Sequence, residues 1–297
     1  MIKTSLNILA WRLIEMEQRK TALITDSASD ITKELADNYG IPVIPLRLLF
    51  SHGEYKDRVE ITPDTFYPML TQETPKSSLP ARDDVTGALD DLSARGVTDV
   101  LYIGISSGLS GTFQAVKQIG EEYEGIRFTA FDSKILSCGE GALVEAAAKE
   151  LSVSGSIEKA VALVQSIRER MSSFFVVKTL NYLSKGGRIG KVAGTVGSLL
   201  HLSPVITVNS DGVYETAAKT IGFDRAIDLM VRQMETRFAG RSITLSCVHA
   251  QNEEGTLRVI DKIKRFADVK SATVTPVTAV LGAHTGPGLV GMIAYEI

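Results

Sequence analysis

Hydroxyl side chains follow three short apolar runs, each of which is typical of a buried β-strand. They are found at residues 26–27, 106–112 and 132–133. Ligands of open parallel sheets bind at the carboxyl ends of the strands, so these stretches are candidate binding loops. The loop at 106–112 also precedes a predicted helix, whose first backbone amides favour an anion. We therefore expect free amides there to bind a carboxylate or a phosphate, together with the hydroxyls of Ser106, Ser107 and Ser110. The competing interpretation is that Ser110 is only a helix cap.

Three further segments carry groups that suit an anion. Ser77 and Ser78 lie in a loop whose flanking prolines restrict the backbone, although an ordinary exposed loop has the same composition. Arg188 follows two glycines in a predicted tight turn, where a solvated arginine is the alternative. His284 stands beside a rigid Gly-Pro-Gly turn, as an anion ligand, an acid–base group or a structural histidine.

The common signatures of an active site are absent from the sequence. It has no Walker A stretch, no dinucleotide fingerprint and no G-x-S-x-G elbow, and its two cysteines and four histidines are dispersed. No histidine is identifiable from its position as the base for a serine. We therefore expect no catalytic residue, no cofactor and no metal, and interpret the chain as a binding protein rather than an enzyme.

The order of predicted elements divides the chain into two domains after a short extension. Residues 1–20 are predicted to form an amphipathic helix, and they lack the apolar core of a signal peptide. In residues 21–172, apolar runs alternate with helical patterns, which predicts a parallel sheet with crossover helices. There we assign residues 41–50 to one strand and residues 73–82 to a loop. In residues 173–297, the hairpin signal Ser210-Asp211-Gly212 predicts an α+β domain with an antiparallel or mixed sheet.

Composition excludes several classes of protein. The chain has 297 residues, of which 44% are hydrophobic and 23% charged, as in globular proteins. Its net charge of −3 gives no electrostatic reason to bind nucleic acid. Two cysteines cannot build a disulfide framework, which favours a cytoplasmic protein, and no apolar run is long enough for a transmembrane segment. In the absence of a coiled-coil signal we expect a monomer.

Taken together, these stretches resemble the DegV family, whose members include the fatty acid-binding subunits of bacterial fatty acid kinases. The resemblance runs in order from Ala22 over nearly the whole chain. The stretches that carry it are Thr25-Asp26-Ser27, residues 75–80, ISSGLSGTFQ at 105–114, Phe131-Asp132-Ser133, Gly186-Gly187-Arg188-Ile189 and HTGPG at 284–288. Each stretch is weak alone, whereas six in this order and spacing are specific.

The resemblance implies a two-domain α/β protein with a Rossmann-like parallel-sheet domain, a C-terminal α+β domain and a long-chain fatty acid between them. It implies that Ser77 and Ser110 bind the carboxylate and that Arg188 and His284 lie near the same head group. In kinase-subunit members, a separate ATP-dependent kinase phosphorylates the bound carboxylate to an acyl phosphate. This chain would then bind the fatty acid and present it to that partner.

The chain departs from the family pattern at the first binding loop. The family's Thr-Ser-Gln-Pro-Ser is Ser77-Ser78-Leu79-Pro80-Ala81 here, so polar groups are lost at Leu79 and Ala81. A lysine that is common before the Pro-Val-Ile strand is Ser203. Two other functions stay open. One is a stand-alone phosphotransferase or hydrolase with Ser107 or Ser110 as nucleophile, and the other is a regulatory binder of another small anionic ligand.

Overall fold

The computed structural model describes residues 20–195 and 202–297, so the helix predicted at 1–20 lies outside the described residues apart from Lys20. The strands are β1 (Thr21–Asp26), β2 (Val43–Ile44), β3 (Arg47–Phe50), β4 (Gly53–Lys56), β5 (Lys76–Ser78), β6 (Asp99–Gly104), β7 (Arg127–Asp132), β8 (Ser172–Val176), β9 (Leu202–Val208), β10 (Tyr214–Ile221), β11 (Ser242–His249), β12 (Asp268–Pro276) and β13 (Val290–Glu296). The helices are α1 (Lys33–Tyr39), α2 (Pro63–Leu70), α3 (Arg82–Ala94), α4 (Thr112–Glu122), α5 (Cys138–Ser154), α6 (Ile157–Arg170), α7 (Asn181–Lys185), α8 (Phe223–Phe238), α9 (Glu253–Ile263) and α10 (Ala279–Thr285).

Four strands of the first half form a parallel sheet in the order β2-β1-β6-β7. All six residues of β6 are buried, as expected for a central strand that is covered on both faces. Helix α4 follows β6 and returns the chain to β7, so β6, α4 and β7 make a parallel crossover unit. The predicted parallel sheet with crossover helices is therefore confirmed.

The second half of the chain builds a mixed sheet of six strands in the order β10-β9-β8-β13-β11-β12. Strands β9 and β10 form an antiparallel hairpin, and Gly212 in its turn has a φ of 78°, which favours glycine. The pairs β8–β9, β8–β13 and β11–β13 are antiparallel, whereas β11 and β12 are parallel. The predicted hairpin and the predicted mixed sheet are both confirmed.

The prediction of one strand at 41–50 is wrong, because this segment contributes to two sheets. Strand β2 pairs with β1, whereas β3 is the centre of a third, antiparallel sheet in the order β4-β3-β5. Pro45 separates β2 from β3, since proline lacks the backbone N–H that a central strand must donate. The loop predicted at 73–82 is wrong in part, because it contains the edge strand β5.

The largest hydrophobic core cluster joins the two halves of the chain. It contains Leu101 and Leu143 from the first half and Val177 and Leu183 from the second. Sheet membership changes at β8, but the division into two domains at residue 172 stays a prediction. None of the helices in the described part of the chain is both long and apolar enough to cross a membrane.

Helix α10 does not follow from the sequence pattern. Six of its seven residues are buried, so it lacks the amphipathic period by which helices are recognised. Two buried carboxylates bind its start instead. The Thr278 amide donates to Asp30 Oδ1 (2.9 Å) and the Val280 amide donates to Asp57 Oδ1 (3.3 Å). Such acceptors are favourable because the first amides of a helix have no partner within it.

Burial of these carboxyl groups makes their protonation easier. Desolvation raises the pKa of Asp30 to about 6 and that of Asp57 to about 7. Asp30 also accepts a hydrogen bond from the Ser137 hydroxyl, at the start of α5. The anchor of α10 is therefore an internal polar contact whose charge depends on pH near neutrality.

We predict that the stability of Asp57→Asn relative to wild type rises by about 2–3 kcal/mol between pH 5 and pH 8. The raised pKa means that folded wild type holds a proton that the unfolded chain has already lost. The stability contributed by this group is thus complete below about pH 4 and lost as the pH rises through about 7. Asparagine has no such proton. Urea denaturation at several pH values measures the difference.

Asp37→Asn is the matched control, because it removes an exposed carboxylate from α1. Its stability relative to wild type should vary much less over the same range. A pH-independent difference for Asp57→Asn would contradict the assignment of a raised pKa to this group.

Candidate functional site

A cavity lies between the carboxyl ends of the parallel strands, the six-stranded sheet and α10, and about 830 Å³ of atom-free space, part of it open to solvent, belongs to it. Most of the wall is aliphatic or aromatic. The apolar lining includes Leu46, Ile105, Ile135, Val208, Val248, Leu289 and Ile293. The cavity therefore suits a ligand that is mostly apolar.

Four of the residues expected to bind a ligand line this cavity: Ser77, Ser110, Arg188 and His284. We call these four the polar cluster. Ser110 and Arg188 also line a groove on the outside of the molecule, together with Ser107. The polar cluster thus lies where the cavity meets the outer groove.

Strand alternation decides which of two adjacent serines reaches the cavity. In β5, Ser77 is paired with the fully buried Leu48, and Ser78 is paired with Arg47. Successive side chains of a strand point to opposite faces of the sheet. Ser77 consequently faces inward and lines the cavity, whereas Ser78 faces away from it.

The imidazole of His284 is hydrogen-bonded to Ser77, with 2.8 Å between Nε2 and the serine hydroxyl. Nδ1 is buried without a partner among the described residues, and it packs on Gly186, where a Cβ would lie 2.1 Å away. An unpaired buried N–H is rarer than an unpaired acceptor, so we assign the proton to Nε2. In this tautomer Ser77 accepts from His284, and its own O–H is free to donate into the cavity.

His284 supplies no positive charge to the cavity at neutral pH. Burial, and to a smaller extent the positive charge of Arg188, lower the pKa of His284 to about 4. The imidazole is therefore neutral at pH 7. Arg188 is the cationic member of the polar cluster.

Carbonyl groups orient Arg188. Its Nη1 donates to the Gly186 oxygen (2.6 Å), and its Nε donates weakly to the Leu109 oxygen (3.4 Å). Gly187 has a φ of 70°, which allows the tight turn that precedes the arginine. These contacts connect the turn after α7 to the loop at 106–112 and place the guanidinium beside the segment that carries Ser110.

Six of the seven backbone amides of the 106–112 loop donate to other groups of the protein, so the prediction of free amides there is wrong. The Ser107 amide donates to Asp132 Oδ1 (3.1 Å), and the amides of Leu109 and Ser110 donate to the Ser106 oxygen. The Ser110 hydroxyl accepts from the Thr112 amide (3.1 Å) at the start of α4. Ser110 therefore satisfies a helix amide and lines the cavity at the same time.

Ser106 and Ser107 have other partners and do not line the cavity. Ser106 is buried, and its hydroxyl donates to the Gly212 oxygen (2.7 Å), which joins the loop to the β9–β10 turn. A Cβ at Gly212 would lie 2.0 Å from that hydroxyl, so only glycine fits there. Ser107 lines the outer groove, where its hydroxyl accepts from Lys134 Nζ (3.0 Å).

Ser77 and His284 are hydrogen-bonded although they are 207 residues apart, a contact that their positions in the sequence did not identify. The pair nonetheless lacks two features of an activated nucleophile. A general base works best with a pKa near the working pH, and catalytic histidines are oriented by a group on the second nitrogen. His284 has a lowered pKa and an unpaired Nδ1. Within residues 20–195 and 202–297, no three His, Cys, Asp or Glu side chains are arranged to hold a metal.

The residues that depart from the family pattern lie in three different places. Leu79 is 45% exposed and packs at Gly111, where a Cβ would lie 3.5 Å from Leu79 Cδ2. Ala81 precedes α3 and provides no side-chain cap. Ser203 lies in β9 opposite Thr220. Leu79 is thus next to the loop of Ser110, at the outer side of the polar cluster.

Sequence reasoning missed four other polar residues that line the cavity, among them Tyr214 and Ser173, the other two being Ser137 and Thr285. We consider Tyr214 and Ser173 here, because they lie in the six-stranded sheet. Tyr214 begins β10 directly after the hairpin turn, and Ser173 lies in β8 opposite Ile293. Neither belongs to a spacing pattern that indicates chemistry. Only the register of the six-stranded sheet turns these side chains toward the cavity.

A family model described as "Uncharacterised protein, DegV family" matches residues 20–296 of this chain. A DegV domain-containing protein of Clostridium acetobutylicum is 35% identical over 277 residues, which are 93% of this chain and 99% of that protein. A DegV domain-containing protein of Clostridium perfringens is 36% identical and covers 92% of this chain and 98% of its own length. The similarity therefore extends over both halves of the fold.

Solved structures of similar proteins share this architecture. A Thermus thermophilus structure described by "fatty acid binding of a DegV family protein" has a TM-score of 0.86 and 30% identity, and covers 94% of this chain and 100% of that one. A fatty acid binding DegV family protein from Streptococcus agalactiae has a TM-score of 0.84 and 25% identity, and covers 94% of this chain and 99% of that one. The expected α/β fold with a second sheet domain is confirmed.

We predict that Ser77→Ala lowers the free energy of unfolding by about 1–3 kcal/mol, because it leaves the buried Nε2–H of His284 without an acceptor. The adjacent Ser78→Ala is the matched control. It should change stability by less than about 0.5 kcal/mol, because that side chain lies on the other face of β5. Urea denaturation at pH 7 measures both variants, and equal losses would contradict the proposed role of Ser77.

Proposed function

The chain belongs to the DegV family, and we propose on this basis that it binds a long-chain fatty acid in the cavity between its two halves. The observation that carries the proposal is a cavity with a mostly apolar wall and the polar cluster at its opening. The acyl chain occupies the apolar part, and the carboxylate meets Ser77, Ser110, Arg188 and His284. Similar proteins described as fatty acid binding support the ligand class.

The acyl chain supplies most of the binding free energy. Burial of a methylene contributes roughly 0.8 kcal/mol, so about fourteen methylenes contribute about 11 kcal/mol before the costs of ordering. Tight binding then requires no strong ion pair. A cavity with a mostly apolar wall favours such a ligand over a small inorganic or nucleotide anion, which would leave apolar surface uncovered.

The polar cluster orients the carboxylate. The Ser77 hydroxyl accepts a hydrogen bond from the Nε2–H of His284. Its own proton is therefore free to donate to one carboxylate oxygen. Arg188 provides the positive charge beside Ser110, while neutral His284 adds no repulsion to the arginine. Ser78, Ser106 and Ser107 lie outside this arrangement, and they are not part of the proposed carboxylate site.

We propose further that the protein presents the carboxylate to a separate ATP-dependent kinase, which forms an acyl phosphate. Ser110 and Arg188 line both the cavity and the outer groove, so the head group would be reachable from outside. In this proposal the chain binds and positions a substrate and performs no chemistry itself. We place it in the cytoplasm, since Cys138 and Cys247 are both free thiols, as is usual in a reducing compartment. The expected monomer stays a prediction.

A hydrolase is the second candidate function, and the Ser77–His284 hydrogen bond is the observation that favours it. The geometry of the pair argues against it in this chain. Proton transfer from Ser77 would create an imidazolium beside Arg188 in a buried site, and no described group accepts a hydrogen bond from Nδ1. We therefore favour binding over hydrolysis.

We predict that native mass spectrometry of the purified chain finds one long-chain fatty acid per protein, and that solvent extraction identifies the acyl chain. An empty protein that also ignores added palmitate and oleate would overturn the proposal in favour of another anionic ligand. Incubation with a fluorophosphonate probe serves as the parallel test of the hydrolase. Covalent addition at Ser77 would support hydrolysis, whereas an unmodified chain supports binding alone.

We predict that Ser110→Ala weakens palmitate binding by about 5–30-fold, the equivalent of one hydrogen bond to a charged group at about 1–2 kcal/mol. Displacement of a fluorescent fatty acid measures the affinity. Ser78→Ala is the matched control and should bind palmitate like wild type, because Ser78 faces away from the cavity. Unchanged affinity of Ser110→Ala would remove this hydroxyl from the carboxylate site.

A further inference from the structure

Tyr214 combines deep burial with a position at the opening of the cavity. Its side chain is 4% exposed, and it lines both the cavity and the outer groove, as Ser110 and Arg188 do. Burial and the charge of Arg188 act on its phenol, and no hydrogen bond to a described side chain does. A buried tyrosine hydroxyl usually has a hydrogen-bond partner. The head group of a ligand at this opening can supply one.

Packing fixes the position of this ring beside the arginine turn. The rings of Tyr214 and Phe175 make an edge-to-face contact, with centroids 5.1 Å apart and an interplanar angle of 63°. A Cβ at Gly190 would lie 3.0 Å from the Tyr214 backbone oxygen, so the start of β10 packs directly on the segment that follows Arg188. The tyrosine is thus held rigidly at the place where the cavity opens.

Electrostatics link the hydroxyl to Arg188 as well. Burial raises the pKa of Tyr214. The positive charge of Arg188 opposes this effect, because it stabilises the charged form of the phenol. The hydroxyl remains protonated at neutral pH and is a donor. A negatively charged acceptor beside Arg188 would satisfy it.

We propose that the Tyr214 hydroxyl donates a hydrogen bond to the anionic head group of the ligand, and so makes the cavity selective for acids over neutral amphiphiles of the same length. This inference rests on the proposed function and adds a specificity-determining residue to it. Tyr214 and Ser77 approach the head group from different elements, β10 and β5. Together with Arg188 they provide donors on more than one side of a planar carboxylate.

The test compares Tyr214→Phe with wild type for two ligands of equal chain length, palmitic acid and hexadecanol. Phenylalanine keeps the ring and its contact with Phe175 and removes only the hydroxyl. We expect affinity for palmitate to fall about tenfold or more, and affinity for hexadecanol to change less than about threefold, because hydrogen bonds to charged acceptors are the stronger. Tyr182→Phe is the matched control, since Tyr182 packs at Gly286 and does not line the cavity.

A second measurement separates a head-group contact from a change in packing. In palmitate labelled with ¹³C at the carboxyl carbon, loss of a donor to the carboxylate raises the pKa of the bound acid. We expect this increase in Tyr214→Phe and not in Tyr182→Phe. Equal palmitate affinity and equal pKa of bound palmitate in wild type and Tyr214→Phe would overturn the inference and leave fatty acid binding intact. A wild-type chain that binds no fatty acid would overturn the proposed function and this inference with it.

Discussion

The candidate site depends on two hydrogen bonds that backbone amides at the start of α10 donate to buried carboxylates. Asp30 and Asp57 belong to the first half of the chain, and the amides of Thr278 and Val280 belong to the last part of the second. The helix that they hold supplies Val280 and Leu281 to the cavity wall and His284 to its opening. Without this anchor a helix of seven residues has little stability of its own.

The contact of Asp30 and Asp57 with α10 has an electrostatic cost, because burial destabilises the charged form of both carboxyl groups. Desolvation raises the pKa of Asp57 to about 7 and that of Asp30 to about 6, so their charge is lost as the pH falls through these values. Hydrogen bonds from backbone amides and from the Ser137 hydroxyl offset this cost. Ser137 itself lines the cavity, so the anchor and the cavity wall share a residue.

The polar cluster is mostly neutral, and this suits a ligand whose affinity comes from its apolar part. Arg188 is the one positive charge of this cluster, since the imidazole and the hydroxyl groups are neutral at pH 7, and it would balance the single negative charge of the proposed carboxylate. The imidazole also keeps Ser77 in an acceptor role, which directs the serine proton toward the cavity. In the proposed complex, the cavity wall provides the affinity for the acyl chain, and the polar cluster orients the carboxylate.

Local patterns in the sequence were sufficient to predict the parallel sheet of the first half of the chain and one hairpin of the second. The alternation of apolar runs and helices predicts the parallel sheet, because strand and helix periodicity depend on neighbouring residues. The hairpin at Gly212 follows equally from the backbone freedom of glycine. The residues of the polar cluster were named from the order of short stretches, with Ser78, Ser106 and Ser107 beside them.

The sequence alone therefore determined the helices and strands that have a local sequence pattern, and a list of candidate ligand-binding residues. The tertiary structure decided which of them meet. Strand register selects Ser77 over Ser78, sheet pairing makes a strand of residues 76–78, and the buried carboxylates create α10 where no amphipathic pattern marks a helix. The contact between Ser77 and His284 spans 207 residues of chain. Such contacts depend on the packing of the whole core, and no local spacing encodes them.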